Sequence, residues 1–330
     1  MKKVLVLLLL AAIVAPAFAD DALVLPKGVL RTTLAPYYAF ANQSFDKDGE
    51  KVDIGGGAVD SVNVWGLGAA FEYGLTDAVN IAIQWFPGWN FAGSYTAGDG
   101  LPPASATFIE NQKPTGLDDF FIGSKVQILG PNGFVPNDMH RFAAAAGFQV
   151  PLSVYDAEEV FDNQVAGDEF QADRVGNDTV ALGFRLYYDY VISENFFWNL
   201  YSEFQYNFPR DLEFPNDPAG APPKTIEGEV APGYELTFET EPDYATMIGD
   251  GLELGGSLPI TYKLTGESEI AGAGQDDDTT LLTVRPTVSL FMQSLPVPTE
   301  LSFGYRIPLY GTKTAAQNLL VLQIKNFLRF

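Results

Sequence analysis

The stretch "VALGFRLYYDYVI", residues 180–192, puts Val180, Leu182, Phe184, Leu186, Tyr188, Tyr190 and Ile192 on one side of an extended chain. Ala181, Gly183, Arg185, Tyr187, Asp189 and Val191 take the other. The same two-residue period runs through "LELGGSLPITYKL", "LLTVRPTVSLFM" and "LSFGYRIPL". Period two belongs to β-strands, because successive side chains leave a strand on opposite faces, and helical spacing does not fit it. The pattern predicts about twelve strands of roughly ten residues, the length a tilted strand needs to cross a bilayer. They fall near 28–42, 58–73, 78–92, 117–129, 140–155, 175–191, 196–208, 232–241, 251–265, 279–293, 299–310 and 318–330.

The connections alternate in length. "GLTD" (residues 74–77), "SEN" (193–195) and "LPVPT" (295–299) read as tight turns. Long polar segments rich in Gly, Pro and Asp lie near 43–57, 93–116, 156–174, 209–231 and 266–278. A longer turn near 242–250 and a short last loop near 311–317 depart from the rule. An even-numbered antiparallel barrel of the outer-membrane type has short turns at one rim and long loops at the other. A soluble β-sandwich also alternates. Charges recurring on the second face, and the aromatic cluster "YYDYVISENFFWNLY" at a turn, favour the barrel, whose interfaces carry aromatic girdles.

The two ends agree with this. Lys2 and Lys3 lead into an apolar run closing on Ala17-Phe18-Ala19. This is the pattern of a secretory signal peptide, residues 1–19, followed by one barrel domain, residues 20–330. The run falls short of the roughly 20 residues of a spanning helix. Without Lys2 and Lys3 the formal charge moves from -23 to -25, which argues against nucleic acid as a partner. No cysteine is present, so an exported chain of this kind is held without disulfides. At the other end Leu320, Leu322, Ile324, Leu328 and Phe330 share a face opposite Val321, Gln323, Lys325 and Arg329. A membrane barrel closes by pairing its last strand with its first, since an open edge has no partner in lipid. A terminal Phe330 on that strand resembles the C-terminal recognition signal of bacterial outer-membrane barrels, which makes the barrel-assembly machinery an expected partner beside membrane lipid.

"GLDDFFIGSKVQIL" (residues 116–129), followed by "RFAAAAGFQVPLS" (141–153), resembles a pairing that recurs in the outer-membrane family of phenol meta-degradation pathway transporters. "EYGLTDAVNIAI" (72–83) is similar to that family's strand-turn-strand opening. The resemblance spans most of the chain in rhythm, through short and mostly structural motifs. It implies a barrel involved in passage of small hydrophobic or aromatic molecules, related in style to the fatty-acid and toluene channels. The N-terminal Asn-Pro-Ala hatch of the fatty-acid channels has no counterpart here.

Barrel hydrolases keep a histidine near the outer rim. The one histidine here, His140, falls at the opposite rim, so the expectation is no enzyme and no cofactor. "DKDGEKVD" (46–53) and "QDDD" (275–278) are oxygen-rich but lack the spacing of a calcium loop. The inward charges are more informative. Arg31, Glu72, Lys125, Arg185, Asp189, Glu203, Arg285 and Arg306 are the candidate lumen-lining residues, with Glu235, Glu239, Glu253, Lys263, Lys325 and Arg329 on the same face. Tyr187, Phe197 and Tyr201 also face inward. Such charges either line a wet pore or form a salt-bridge lattice that fills a narrow barrel. The expected function is a porin-like channel for passive passage of a small-molecule solute. The rival is a structural or adhesive surface protein with a closed lumen.

Overall fold

The computed structural model describes residues 21–152, 155–171, 175, 176, 178–216 and 224–330. The expected signal peptide lies outside the described residues. Twelve antiparallel strands close into one barrel. They are β1 (Val29–Ala41), β2 (Val59–Thr76), β3 (Val79–Ala97), β4 (Phe120–Leu129), β5 (His140–Val150), β6 (Ala181–Val191), β7 (Phe196–Asn207) and β8 (Glu235–Gly249). β9 joins Leu252–Ser257 to Ile260–Thr265, and β10 joins Thr279–Val284 to Thr287–Met292. β11 (Thr299–Thr312) and β12 (Asn318–Arg329) complete the wall. Closure comes from β1 against β12, from Val29↔Arg329 to Phe40↔Asn318. Phe330 lies just past this pairing, where its N–H donates to Gly28 O at 2.9 Å.

The apolar face of each strand points away from the lumen. Phe148, Phe184, Leu186, Phe238 and Leu254 are all exposed, at 45–56 % for the whole set. A soluble protein would bury such a belt. In a barrel of this size it meets the acyl chains of a bilayer, and the inward positions take the polar residues. Trp65, Trp89, Tyr190, Trp198 and Tyr244 are exposed in the same way.

Three sequence expectations are corrected. The turn expected near 242–250 is strand: β8 runs through Pro242 to Gly249 and pairs with β9 from Asp243↔Ser257 onward, leaving only residues 250 and 251 to turn. Pro242 and its acidic neighbours resemble a loop in composition, but Glu241 and Asp243 point into a polar lumen. Second, β9 and β10 are each interrupted, at Pro259 and at Pro286. Proline cannot donate to a ladder, but it still accepts. Leu258 N donates to Pro242 O at 3.1 Å, Arg285 N to Pro259 O at 2.9 Å and Tyr305 N to Pro286 O at 3.1 Å. Pairing therefore continues across the breaks, as a wall in lipid requires.

Third, the long loops are folded. Helix α1 (Pro103–Asn111) occupies the loop after β3, and α2 (Ala157–Ala166) the loop after β5. The Asp156 side chain caps α2 by accepting from Glu158 N and Glu159 N, both carboxylates stand at its positive end, and Gly167 closes it with φ 75°. A hairpin of Arg210–Asn216 with Lys224–Ala231 is extended by Glu269–Ile270. Leu212, Val230 and Ile270 of this layer border the internal cavity, so the loops lean over the mouth.

Candidate permeation lumen

Register alone sets the first charge pairs. Arg31 lies opposite Glu72 and Arg185 opposite Glu203. Their side chains meet at 2.6 Å in both cases. Lys263–Glu235 at 2.9 Å and Lys325–Glu300 at 3.1 Å add two more bridges between neighbouring strands. These bridges form a lattice on the wall, and the lumen inside them is not filled. A cavity of about 1060 Å³ runs from Asp21, Val24 and Pro26 at the short-turn end to Ile270, Gln275 and Asp277 under the loops.

Arg185 is built into the wall from below. Gly123, Gly147 and Gly183 stand side by side on β4, β5 and β6. The Phe121 ring lies over all three, and a Cβ on any of them would come within 2.4–2.9 Å of it. The Arg185 guanidinium sits 4.0 Å above that ring as a cation–π contact. From there its Nε donates to Glu203 Oε1, and its Nη1 reaches Gln84 Oε1 on β3. The Tyr201 hydroxyl donates to Glu203 Oε2 at 2.7 Å.

At the short-turn end the segment before β1 is held against the inner wall. Ala22 N donates to both carboxylate oxygens of Asp189 at 3.0 Å. Lys125 Nζ donates to Asp21 O at 2.9 Å, and Gln127 Nε2 to Ala22 O at 2.9 Å. Leu25 N donates to Asn80 Oδ1 at 3.0 Å. Ala22, Val24 and Leu25 are buried, and the bare backbone of Gly74 lets Pro26 O approach to where a Cβ would sit 2.2 Å away.

Of the eight candidate lumen residues, Arg31, Glu72, Arg185, Glu203, Arg285 and Arg306 border the cavity. Lys125 and Asp189 face inward but lie beneath the N-terminal segment, which they hold. Phe197 and Tyr201 border the cavity too. Asn80 and Gln127, which share the work of Lys125 and Asp189, occupy inward positions of β3 and β4. The alternation marks those positions as inward but does not mark them as anchors. His140 Nδ1 lies 2.8 Å from the Tyr188 hydroxyl, and its ring stacks on Tyr188 and Tyr190, at the short-turn rim. The "DKDG" start folds on itself, Asp46 Oδ1 accepting from Asp48 N and Glu50 N. In the last loops Lys313 Nζ donates to Asp276 at 2.5 Å and Asp278 at 2.7 Å.

No protein-family model and no curated protein matches the sequence. Among solved structures, the COG4313 outer membrane channel from Pseudomonas putida F1 is similar at a TM-score of 0.66 and 14% identity, over 94% of this chain and 99% of that one. The P. putida toluene transporter TodX gives 0.43 at 9% identity, over 98% and 93%. A Pseudomonas aeruginosa FadL homologue gives 0.41 at 10% identity, over 92% and 90%. These neighbours are of the channel class that the sequence resembles. Full-length agreement with the first of them, together with the closed wall and its apolar outer belt, shows the fold of an outer-membrane β-barrel.

Proposed function

We propose that the chain is a channel of the outer membrane that passes small solutes by diffusion, hydrophobic or aromatic ones among them. The observation that carries this reading is the cavity of about 1060 Å³ inside a wall whose charges are paired sideways between neighbouring strands. Paired charges leave the lumen polar enough to stay wet, while Phe86, Phe121 and Val321 give it apolar stations. No catalytic role is assigned: His140 sits on the rim with two tyrosines, away from the cavity. Refolded protein in planar bilayers and in liposomes tests the proposal. Stepwise conductance and solute entry are expected. A barrel that neither conducts nor admits solutes would instead be a structural or adhesive surface protein with a closed lumen.

Location follows from assembly, and Phe330 is the group to perturb. Its side chain is 81 % exposed at the end of the closing strand, free to be recognised. Deleting Phe330, or replacing it with Asp, is expected to lower the amount of heat-modifiable barrel in the outer membrane while export continues. Normal amounts in the deletion strain would remove the assembly-signal reading.

The long outer segments, by the boundaries given above, carry 23 acidic and 6 basic residues, which is -17 of the -25 of the exported chain. Like charge around a mouth concentrates counter-ions. Lys313 offsets part of it and holds the Asp276 carboxyl below its usual range, so that group stays ionised near neutral pH. The channel is expected to prefer cations at low salt. The preference should fade as the Debye length falls from about 30 Å at 0.01 M to about 3 Å at 1 M. Reversal potentials under a salt gradient read this. An anion preference at low salt, unmoved by neutralising Asp276, Asp277, Asp278, Glu158, Glu159 and Asp162, would mean that inward arginines set selectivity.

A further inference from the structure

The inner face of β8 carries three acids at alternate positions. Asp243, Glu241 and Glu239 stand opposite Phe197, Asn199 and Tyr201 of β7. Glu241, Asp243 and the three β7 residues border the cavity. Like charge repeated along one strand gives the lumen a negative side. The cations that act on it come from other strands: Arg285 of β10 on Glu239 and Glu241, and Lys325 of β12 on Glu241 and Asp243. Lys325 is itself bound to Glu300 at 3.1 Å. The groups that hydrogen-bond Glu241 are neutral, since its carboxylate accepts from Ser257 and Asn199.

Two oxygens in this corner lack a donor. Asn199 gives its amide N–H to Glu241, while its Oδ1 has no hydrogen-bond partner among the described residues. Glu239 accepts from Thr261 through Oε2, and its Oε1 is left without a partner in the same way. Asn199 is 6 % exposed and Glu239 4 %. A buried acceptor without a donor is costly, so such atoms mark a place where a donor belongs. The other neighbouring strand does not supply it. Asp189, opposite Asn199 on β6, is another acid, and both its oxygens take Ala22 N. A donor that also suits a negative wall carries positive charge. Phe197, one rung nearer the short turns, offers a ring beside it.

We propose that Glu239, Glu241 and Asn199 form a subsite for the ammonium group of a small primary amine, whose apolar part rests on Phe197. The proposal rests on the channel reading only in that the amine arrives through the lumen. An ammonium has three N–H donors and no acceptor, which matches a corner built of acceptors. Its bonds to the carboxylates are charge-assisted. The Phe197 ring takes apolar surface out of water and attracts the cation through its face. Arg285 and Lys325 temper the negative field, so the amine is held and still released, as conduction requires.

The test is benzylammonium titrated into the refolded full-length protein in detergent and followed by ligand-observed NMR. Benzyl alcohol is the uncharged counterpart, and benzyltrimethylammonium keeps the charge without N–H donors. Benzylammonium should bind about tenfold more tightly than either. Glu241→Gln and Asn199→Leu should each weaken it about tenfold, the loss of one charge-assisted hydrogen bond, and leave benzyl alcohol unchanged. Glu253→Gln, at a cavity-lining acid of β9 outside this corner, should not weaken it. Equal binding of the two cations, or a loss at Glu253 as large as at Glu241, means a diffuse acidic field and overturns the subsite. Benzylammonium unaffected by both Glu241→Gln and Asn199→Leu overturns it too. Should neither variant fold, competition on the unaltered protein decides. Cyclohexylammonium should displace benzylammonium where cyclohexanol does not, and the reverse order overturns the proposal. Conductance measured on the same preparation separates the two readings. A barrel that binds benzylammonium through Glu241 but carries no current keeps the subsite and loses the channel. One that conducts without binding benzylammonium does the opposite.

Discussion

Arginine in place of Leu186 or Leu254 should destabilise the inserted barrel, by about 2–4 kcal/mol where the site lies near the bilayer midplane and by less toward the rim, to which Leu254 is the nearer of the two. Both leucines are close to half exposed, on the outer face of β6 and β9. Leu186 pairs with Ser202 and Leu254 with Thr246, inside continuous ladders that leave the side chain no route into the lumen. The matched control is Ser257→Arg, which adds the same charge to the cavity lining, where water and Asp243 on the facing strand receive it. Urea unfolding from lipid vesicles reads the difference. Equal penalties at Leu254 and Ser257 would mean that the assigned faces are wrong. Gly183 also faces inward by alternation but fails as a control. It lies under the Phe121 ring, and any side chain there strikes that ring before its charge matters.

Gly183 shows where sequence reasoning stops. Its inward direction follows from a period of two, which needs only its own strand. The Phe121 ring above it depends on how β4, β5 and β6 slide against one another, and alternation is blind to that register. Arg31 and Glu72 were likewise legible as inward charges, while their pairing needed the β1–β2 offset. The lower half of β8 was lost for a different reason. "EPDYATMIG" has the composition of a loop, because a wet lumen removes the usual cost of acidic residues in a strand. α2 was hidden by the opposite bias: a run of acids reads as a solvated loop until Asp156 and Gly167 are recognised as its two caps. Least legible was the segment before β1. Its order comes from Asn80, Lys125, Gln127 and Asp189, on three different strands, and no local pattern in the sequence joins them.

Removal of residues 21–27 from the exported chain should raise single-channel conductance several-fold, because that segment occupies the short-turn end of the lumen. Ala22, Val24 and Leu25 are buried against the wall, so the segment is packed there and not trailing in solvent. Its strongest single hold is Asp189, both of whose oxygens accept from Ala22 N. Asp189→Asn turns a charge-assisted bond into a neutral one, a difference of about 1–1.5 kcal/mol. That shifts the released fraction of the segment by roughly 5–10-fold. The Arg141 ion pair 3.9 Å away is lost with it, in the seated and the released state alike. The expected trace for Asp189→Asn is therefore brief excursions to the level that the truncated protein shows continuously. Asn80→Ala, which removes the acceptor for Leu25 N, should add to it, since the two anchors grip different residues. A truncated barrel conducting at the level of the intact one would place the constriction elsewhere, under the loops where Leu212, Val230 and Ile270 lean over the mouth. Silence from both forms would close the lumen at that end and remove diffusion as the function.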